Sequence, residues 1–401
     1  MKLKLLFFII VILSFRCSET SMNKDIPKIN ILKAYNSKHQ VKLSEIASSI
    51  EYVPLETSKN CLINRFPNIY ANNKFIVIKA FEQILVFNRI TGEFVKQLGH
   101  YGKSPGGYGY VNRKMIPNFK YNYSVIAEDW DYNLIEYDIK TGKYRKRIKF
   151  DKTLHADIFY RINDTTLLLY YHYWAPKDKT GLALVNNNGD IVSPITNYRI
   201  QIAGNVNGVV RSAQGEIFHL KQKLFFKEYF NDTLYTLNNE RLKPIYVLNT
   251  ENHKPLPNFK KKEFKTHNHN EDYNLRWFCT SSRFIFFTLW YNNMFYTSVI
   301  DKKTNELKIT YSKTPYFKFD NYFNYYSFIN DIDNFIDFIP KYIDDQDYAI
   351  ALLEAYEITE WFEKNPEKAK NLPLRLQKLK TVKETDNPVV MIVKLKKQTR
   401  L

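Results

Sequence analysis

Two stretches of this chain, about fifty residues apart, follow nearly the same pattern. Residues 69–98 read IYANNKFIVIKAFEQILVFNRITGEFVKQL, and residues 121–150 read YNYSVIAEDWDYNLIEYDIKTGKYRKRIKF. Each is three short apolar and aromatic runs broken by polar turns, and each closes on Thr-Gly (Thr91-Gly92, Thr141-Gly142) followed by a basic strand. A β-meander recurring every 40 to 50 residues or so marks the blade of a propeller, because one such sheet cannot bury both faces alone and stacks on copies of itself. Further copies are therefore expected along the rest of the chain.

Composition supports strands. Tyr (30) and Phe (29) bring the aromatic share to 16%, while Gly is limited to 12 of 401 residues. Aromatic and β-branched side chains suit a pleated, half-buried surface. A third unit lies at residues 159–195 around a turn at Asn188-Gly189-Asp190, a fourth at 216–248, and a fifth at 273–311, where the turn at residues 301–305 stands in the place of Thr91-Gly92. The last unit combines residues 324–342 and a late strand at 387–395 with residues 51–55 from the other end of the chain. Such an early strand completes the final blade and protects an open edge. Residues 346–370, with Ala349, Leu352, Leu353, Tyr356, Trp361 and Phe362 at near-helical spacing, predict a helix inserted in that blade, the whole insertion covering about 346–380. The expected fold class is all-β, a six-bladed β-propeller spanning residues 43–397, closed by its N- and C-terminal strands.

The first seventeen residues are a separate object. Lys2 and Lys4 precede an uninterrupted apolar run at residues 5–13, and Cys17 follows. This predicts an export signal, too short for a membrane span, with Cys17 as a lipid-bearing residue. Residues 18–42 are polar and mixed and read as a tether. The net charge of +18, or +15 without Lys2, Lys4 and Arg16, is spread over the strand-turn units. Runs such as Lys260-Lys261-Lys262 therefore read as solvated loops, and no nucleic-acid partner is expected. Cys61 and Cys279 read as buried free thiols, since two cysteines in a large domain make no disulfide framework.

Four landmarks in order, LSEIASSIEYVPLET, the connector ILVFNRITGEFVKQLGHYGKSPGGYGYV, NDTLYTL and DNPVVMIVKLK, resemble the six-bladed β-propeller lipoproteins of Bacteroides-type bacteria, relatives of NHL-repeat propellers. The resemblance implies the fold and a place in the cell envelope, at the outer membrane, and transfers no catalytic residue. Asp164-Thr165-Thr166 and Asp232-Thr233-Leu234 resemble an O-glycosylation acceptor motif of such bacteria, although Asn-Asp-Thr also makes an ordinary turn into a strand.

Candidate chemistry is sparse. The connector between the first two blades carries five of the twelve glycines (Gly99, Gly102, Gly106, Gly107, Gly109), but strands flank it and a phosphate loop needs a helix N-terminus. It is expected to be a loop on the propeller face; if it shares that face with the long connector carrying Trp174, then Tyr108 and Tyr110, with Trp174 and with Trp130 of blade two, offer rings to a glycan or an envelope protein. Glu128, Asp129 and Asp131 around Trp130 form the alternative, a carbohydrate-active hydrolase or lyase, because glycoside hydrolysis uses two carboxyl groups roughly 5 to 10 Å apart. His267-Asn268-His269, with His253, has no acidic or cysteine partner fixed by spacing, so no metal is expected. No cofactor is expected either. The reading is a monomeric, membrane-anchored binding propeller without catalysis, its membrane contact made through lipidated Cys17.

Overall fold

The computed structural model describes residues 25–63, 67–80, 82–109, 117–119, 124–131, 133–149, 158–170, 181–195, 215–221, 223–229, 231–238, 240–253, 271–312, 316–318 and 323–397. The repeat begins locally, at one recurrent turn. The side-chain oxygen of Asn88 accepts from the amide of Ile90 at 2.8 Å, that of Asp138 from Thr141 at 2.7 Å, that of Asn186 from Asn188 at 2.8 Å, and that of Asp301 from Lys303 at 2.9 Å. Each turn then reaches a left-handed residue: Gly92, Gly142, Gly189 or Asn305. Asn and Asp side chains mimic a backbone turn, and Gly or Asn takes the positive φ at little cost. After the turn the outermost strand resumes with a register shift in blades one, two, three and four, at Val86/Phe87, Glu136/Tyr137, Leu184/Val185 and Leu234/Tyr235. Such bulges increase the local twist.

These units form six sheets, and the chain is a six-bladed β-propeller. Blades one to three run outward from inner strands Asn68–Ala71, Ser124–Glu128 and Ile158–Arg161; blades four and five from Gly215–Leu220 and Asn274–Thr280. Blade six starts at Tyr342–Ile343, continues through Tyr348–Leu353 and Val389–Leu395, and ends on Ala47–Pro54, which pairs antiparallel with Val389–Leu395 so that Ile50 lies opposite Val393. The predicted closure of the ring by its two ends is thus present.

Alternation along the strands builds the core. In blade one Ile76, Ile78, Leu85 and Phe87 pack toward blade six, whereas Val77, Ile84 and Val86 pack toward blade two. The same division recurs at every junction, giving one apolar cluster between each pair of neighbouring blades. Both faces of the inner and middle strands are buried, so those strands read as continuous apolar runs rather than as hydrophobic-polar alternation, whereas outermost strands such as Tyr144–Ile148 and Ile191–Pro194 are largely exposed.

Three expectations are corrected. The segment read as a tether is folded from its middle onward: Lys28–Asn30 adds in parallel to the outer strand of blade four, Ile31–Asn36 is helical, and Ile29, Ile31, Ala34 and Val41 are buried. The predicted helix at residues 346–370 begins late, because Tyr348–Leu353 is a strand of blade six and helix occupies Ala355–Lys364 and Pro366–Lys370. Ala349, Leu352 and Leu353 are buried strand residues whose spacing imitates a helical face. Finally, Phe323–Tyr326 pairs with Met294–Asp301 and so extends blade five, not blade six. Cys61 and Cys279 are buried free thiols in different inter-blade clusters, as expected.

Candidate functional site

Among the described residues, those singled out from sequence do not form one open site. Tyr108 is fully buried; its hydroxyl donates to the carbonyl of Glu82 at 3.2 Å, its ring meets Tyr137 edge-on, and burial pushes its pKa up to about 12. It is a core residue under the Gly-rich connector, whose Gly107–Tyr108 pairs in parallel with His100–Tyr101. The proposed exposure of Tyr108 is therefore corrected. Asp129 is buried and holds a turn: Oδ1 accepts from the amides of Asp131 and Asn133 at 2.8 and 2.9 Å, and Oδ2 lies 3.0 Å from Arg147 Nε. Asp131 is exposed on that turn, and Glu128 ends the inner strand of blade two. Trp130 is half-buried against Tyr101, with Lys103 Nζ 5.4 Å from its ring centroid. Tyr110, Trp174, Cys17, His267, His269 and Lys260–Lys262 lie outside the described residues.

Asn163 and Asn231 make the turns into the two Asn-Asp-Thr strands. Asn163 Oδ1 accepts from the amides of Thr165 and Thr166, both at 2.9 Å, and Asn231 Oδ1 from that of Thr233 at 2.8 Å. Among the described residues no group of three His, Cys, Asp or Glu side chains is placed to hold a metal.

What the fold does bring together lies on its axis. Inner strands from blades one, four, five and six enclose a cavity of about 300 Å³ lined by Asn68, Tyr70, Glu216, Trp277, Lys341 and Tyr342, among others. Trp277 is the feature that sequence reasoning missed. The inner strand of blade five carries one extra residue between Arg276 and Cys279 relative to its partner, and there Trp277 adopts φ +56°. A bulky residue in the left-handed region is a backbone outlier, and such outliers persist only where their surroundings over-determine them. Here the determinant is Glu216 of blade four: its two carboxylate oxygens accept from the amides of Trp277 at 2.9 Å and Phe278 at 2.8 Å. The bulge turns the indole out of the strand, leaving it 42% exposed and stacked on Phe295 with ring centroids 5.2 Å apart. Lys341 Nζ stands 5.4 Å from the same ring.

The remaining wall is largely apolar, with Ile69, Phe218, Ile339 and Leu352, and its polar groups include Tyr70, Tyr342 and Glu354. Tyr70 and Tyr342 meet edge-to-face at 5.4 Å. Burial raises the pKa of both above the usual tyrosine value, so both are protonated donors at physiological pH. Thr288 and the amide of Asn68 complete this set. Burial likewise pushes the Cys279 thiol upward, which leaves it unreactive as a nucleophile. An aromatic platform beside hydroxyl and amide groups is suited to hold a polyhydroxylated ring: C–H faces pack on indole, and the hydroxyls find neutral partners.

A solved structure shares the architecture. A crystal structure of a Bacteroides fragilis protein described as exported superposes with a TM-score of 0.66 at 18% identity, covering 92% of this chain and 99% of that one. The WD40 repeats of RRP9 give a TM-score of 0.43 at 11% identity, covering 88% and 99%. No curated protein matches in sequence. Among the described residues no helix is long and apolar enough to cross a membrane. Residues 26–394 match the model of a domain of unknown function, DUF4934, from the folded N-terminal segment to the last strand of blade six, and the chain belongs to that family.

Proposed function

We propose that this protein is a non-catalytic, exported propeller of the cell envelope, which binds a glycan in its axial cavity with Trp277 as the stacking platform. The observation that carries this reading is the strained, half-exposed indole held by Glu216 over a cavity walled by Tyr70, Tyr342 and Asn68. A protein that keeps a large aromatic residue in the left-handed region offsets on the order of 1–3 kcal/mol of strain elsewhere, and such sites cluster where ligands bind. The cavity lies near the lower bound for small-molecule pockets, roughly 300 Å³. Catalysis is not part of the proposal, since both oxygens of Glu216 are committed to the bulge amides. Export through the N-terminal signal, outer-membrane attachment through lipidated Cys17, kinship with NHL-repeat propellers and a monomeric state complete the reading.

A glycan array probed with residues 25–397 tests it. The native protein is expected to bind a restricted set of glycans, and Trp277→Ala to weaken those signals at least tenfold with the fold intact by circular dichroism. Absence of glycan binding by the native protein, or equal binding by the variant, overturns the proposal. Metabolic labelling with a palmitate analogue checks the anchor: label on the full chain and none on Cys17→Ala is the expected result.

A further inference from the structure

The axial channel is divided. On the far side of the first cavity lies a second, of about 240 Å³, lined by Asn72, Asn118, Tyr160, Lys221, Asp345 and neighbouring residues. Successive residues of one strand pass from one cavity to the other: Asn68, Ile69 and Tyr70 line the first, Ala71 and Asn72 the second. Blade four does the same, with Glu216 to His219 on the first and His219 and Lys221 on the second. Two residues, His219 and Tyr342, face both cavities and form the wall between them.

That wall is braced on all sides. The Tyr342 ring meets Tyr70 edge-to-face and lies 6.3 Å from the His219 ring, which in turn packs on Tyr160 at 5.1 Å. His219 sits in a paired strand opposite Leu224, and Tyr342 opposite Ile350. Burial lowers the pKa of His219, so the wall is uncharged at neutral pH.

We propose that the site recognises the end of a glycan chain: a terminal sugar residue enters past Trp277 and stops against Tyr342 and His219. This rests on the glycan-binding reading above and adds to it the mode of recognition. A through-channel or open groove accepts internal residues, whereas a pocket with a rigid floor accepts only what ends there. The Tyr342 hydroxyl at the floor supplies a donor and an acceptor to the terminal ring, and Trp277 at the mouth stacks on that ring or on the next.

The test uses residues 25–397 and, as probes, cello-, malto- and chito-oligosaccharides of two and six residues, free or blocked at one end. The non-reducing end is blocked by a 4,6-O-benzylidene group and the reducing end by a bulky aryl glycoside. Isothermal titration is expected to give affinities for two- and six-residue chains that agree within about threefold, and blocking one of the two ends is expected to reduce affinity more than tenfold. Tyr342→Ala, which joins the cavities, is expected to restore binding of the blocked chain. Tyr342→Phe keeps the ring and is expected to keep the end preference with affinity reduced several-fold, a comparison that survives if the alanine variant does not fold. Affinity that climbs with chain length, or blocked chains that bind as well as free ones, overturns terminal recognition while leaving glycan binding standing. Failure of every probe together with a blank glycan array overturns both.

Discussion

At the scale of single residues, Asp344 shows how the axial wall is held. It follows Tyr342 by two positions, and its Oδ1 accepts from the amides of Gln346 and Tyr348, each at 2.9 Å. Burial nevertheless pushes its pKa up to about 6, so the folded protein binds this proton more tightly than the unfolded chain does. The stabilising contribution is full below the unfolded carboxylate value of about 4, and is lost as pH rises through 6. Asp344→Asn keeps an oxygen acceptor for both amides and removes the titration. The variant is expected to match the parent in urea-unfolding free energy near pH 4 and to exceed it by on the order of 1–3 kcal/mol at pH 7. An Asn variant less stable than the parent at pH 7 would show that the charge is needed. Glu216→Ala belongs to the same scale: with the bulge amides unpartnered, loss of glycan binding equal to that of Trp277→Ala is expected, although Glu216 is a positioning residue. Neither residue was legible in the sequence. Glu216 looks like any strand-edge acid, and Trp277 in Asn-Leu-Arg-Trp-Phe-Cys reads as one more strand aromatic, because a bulge and the sign of φ leave no mark on local composition. Asp129 and Tyr108 drew attention through their neighbours, yet one makes a turn and the other fills a core.

At the scale of elements, what was readable is what repeats. The Asx turns and Gly92, Gly142 and Gly189 are local devices, so their spacing could be counted along the chain. Elements that depend on a distant partner were harder to place. Tyr348–Leu353 is buried on both faces and shows no alternation, so its apolar residues ran into those of Ala355–Lys364 and the pair read as a single helix. Lys28–Asn30 is three residues long and is a strand only because blade four offers an edge. Ile31, fully buried against blades four and five, allows a check: Ile31→Ala is expected to destabilise by about 2–5 kcal/mol, seen as a lower Tm, whereas a free tether would give no change. Blades two and three are joined by a buried ion pair. Arg161 Nη2 lies 3.1 Å from Glu136 Oε2, while Nη1 donates to the carbonyls of Asn163 and Asp164 and to Asn187 Oδ1. Arg161→Met leaves the buried Glu136 with only the half-exposed Lys146, 3.5 Å from Oε2, as a counter-charge, and is expected to cost about 3 kcal/mol. Adding Glu136→Leu is expected to recover much of that loss, as a double-mutant cycle in urea would record, because a buried pair is worth little against a well-packed apolar replacement.

At the scale of the whole molecule, the ring has no built-in end, and its integrity depends on one seam. Ala47–Pro54 supplies the outer strand of blade six, and its Ile50 and Val53 enter the clusters on the two sides of that blade. A chain beginning at residue 56 leaves Val389–Leu395 with an open edge and removes apolar side chains from two inter-blade cores at once, a combination that favours edge-to-edge association. A chain beginning at residue 41 keeps the seam and loses only the strand on blade four and its short helix. The two truncations are therefore expected to part company. The shorter chain should lose near-UV circular dichroism and elute as aggregate, while the longer one should elute as the parent does, with a single, lowered unfolding transition. Because blades contact only their neighbours, a repeat array without closure unfolds in pieces, whereas a closed ring makes each blade's loss the concern of both neighbours. If the chain from residue 56 melts in one sharp transition at the parent Tm, closure by the N-terminal strand is not what makes the ring cooperative, and the six inter-blade cores suffice without it.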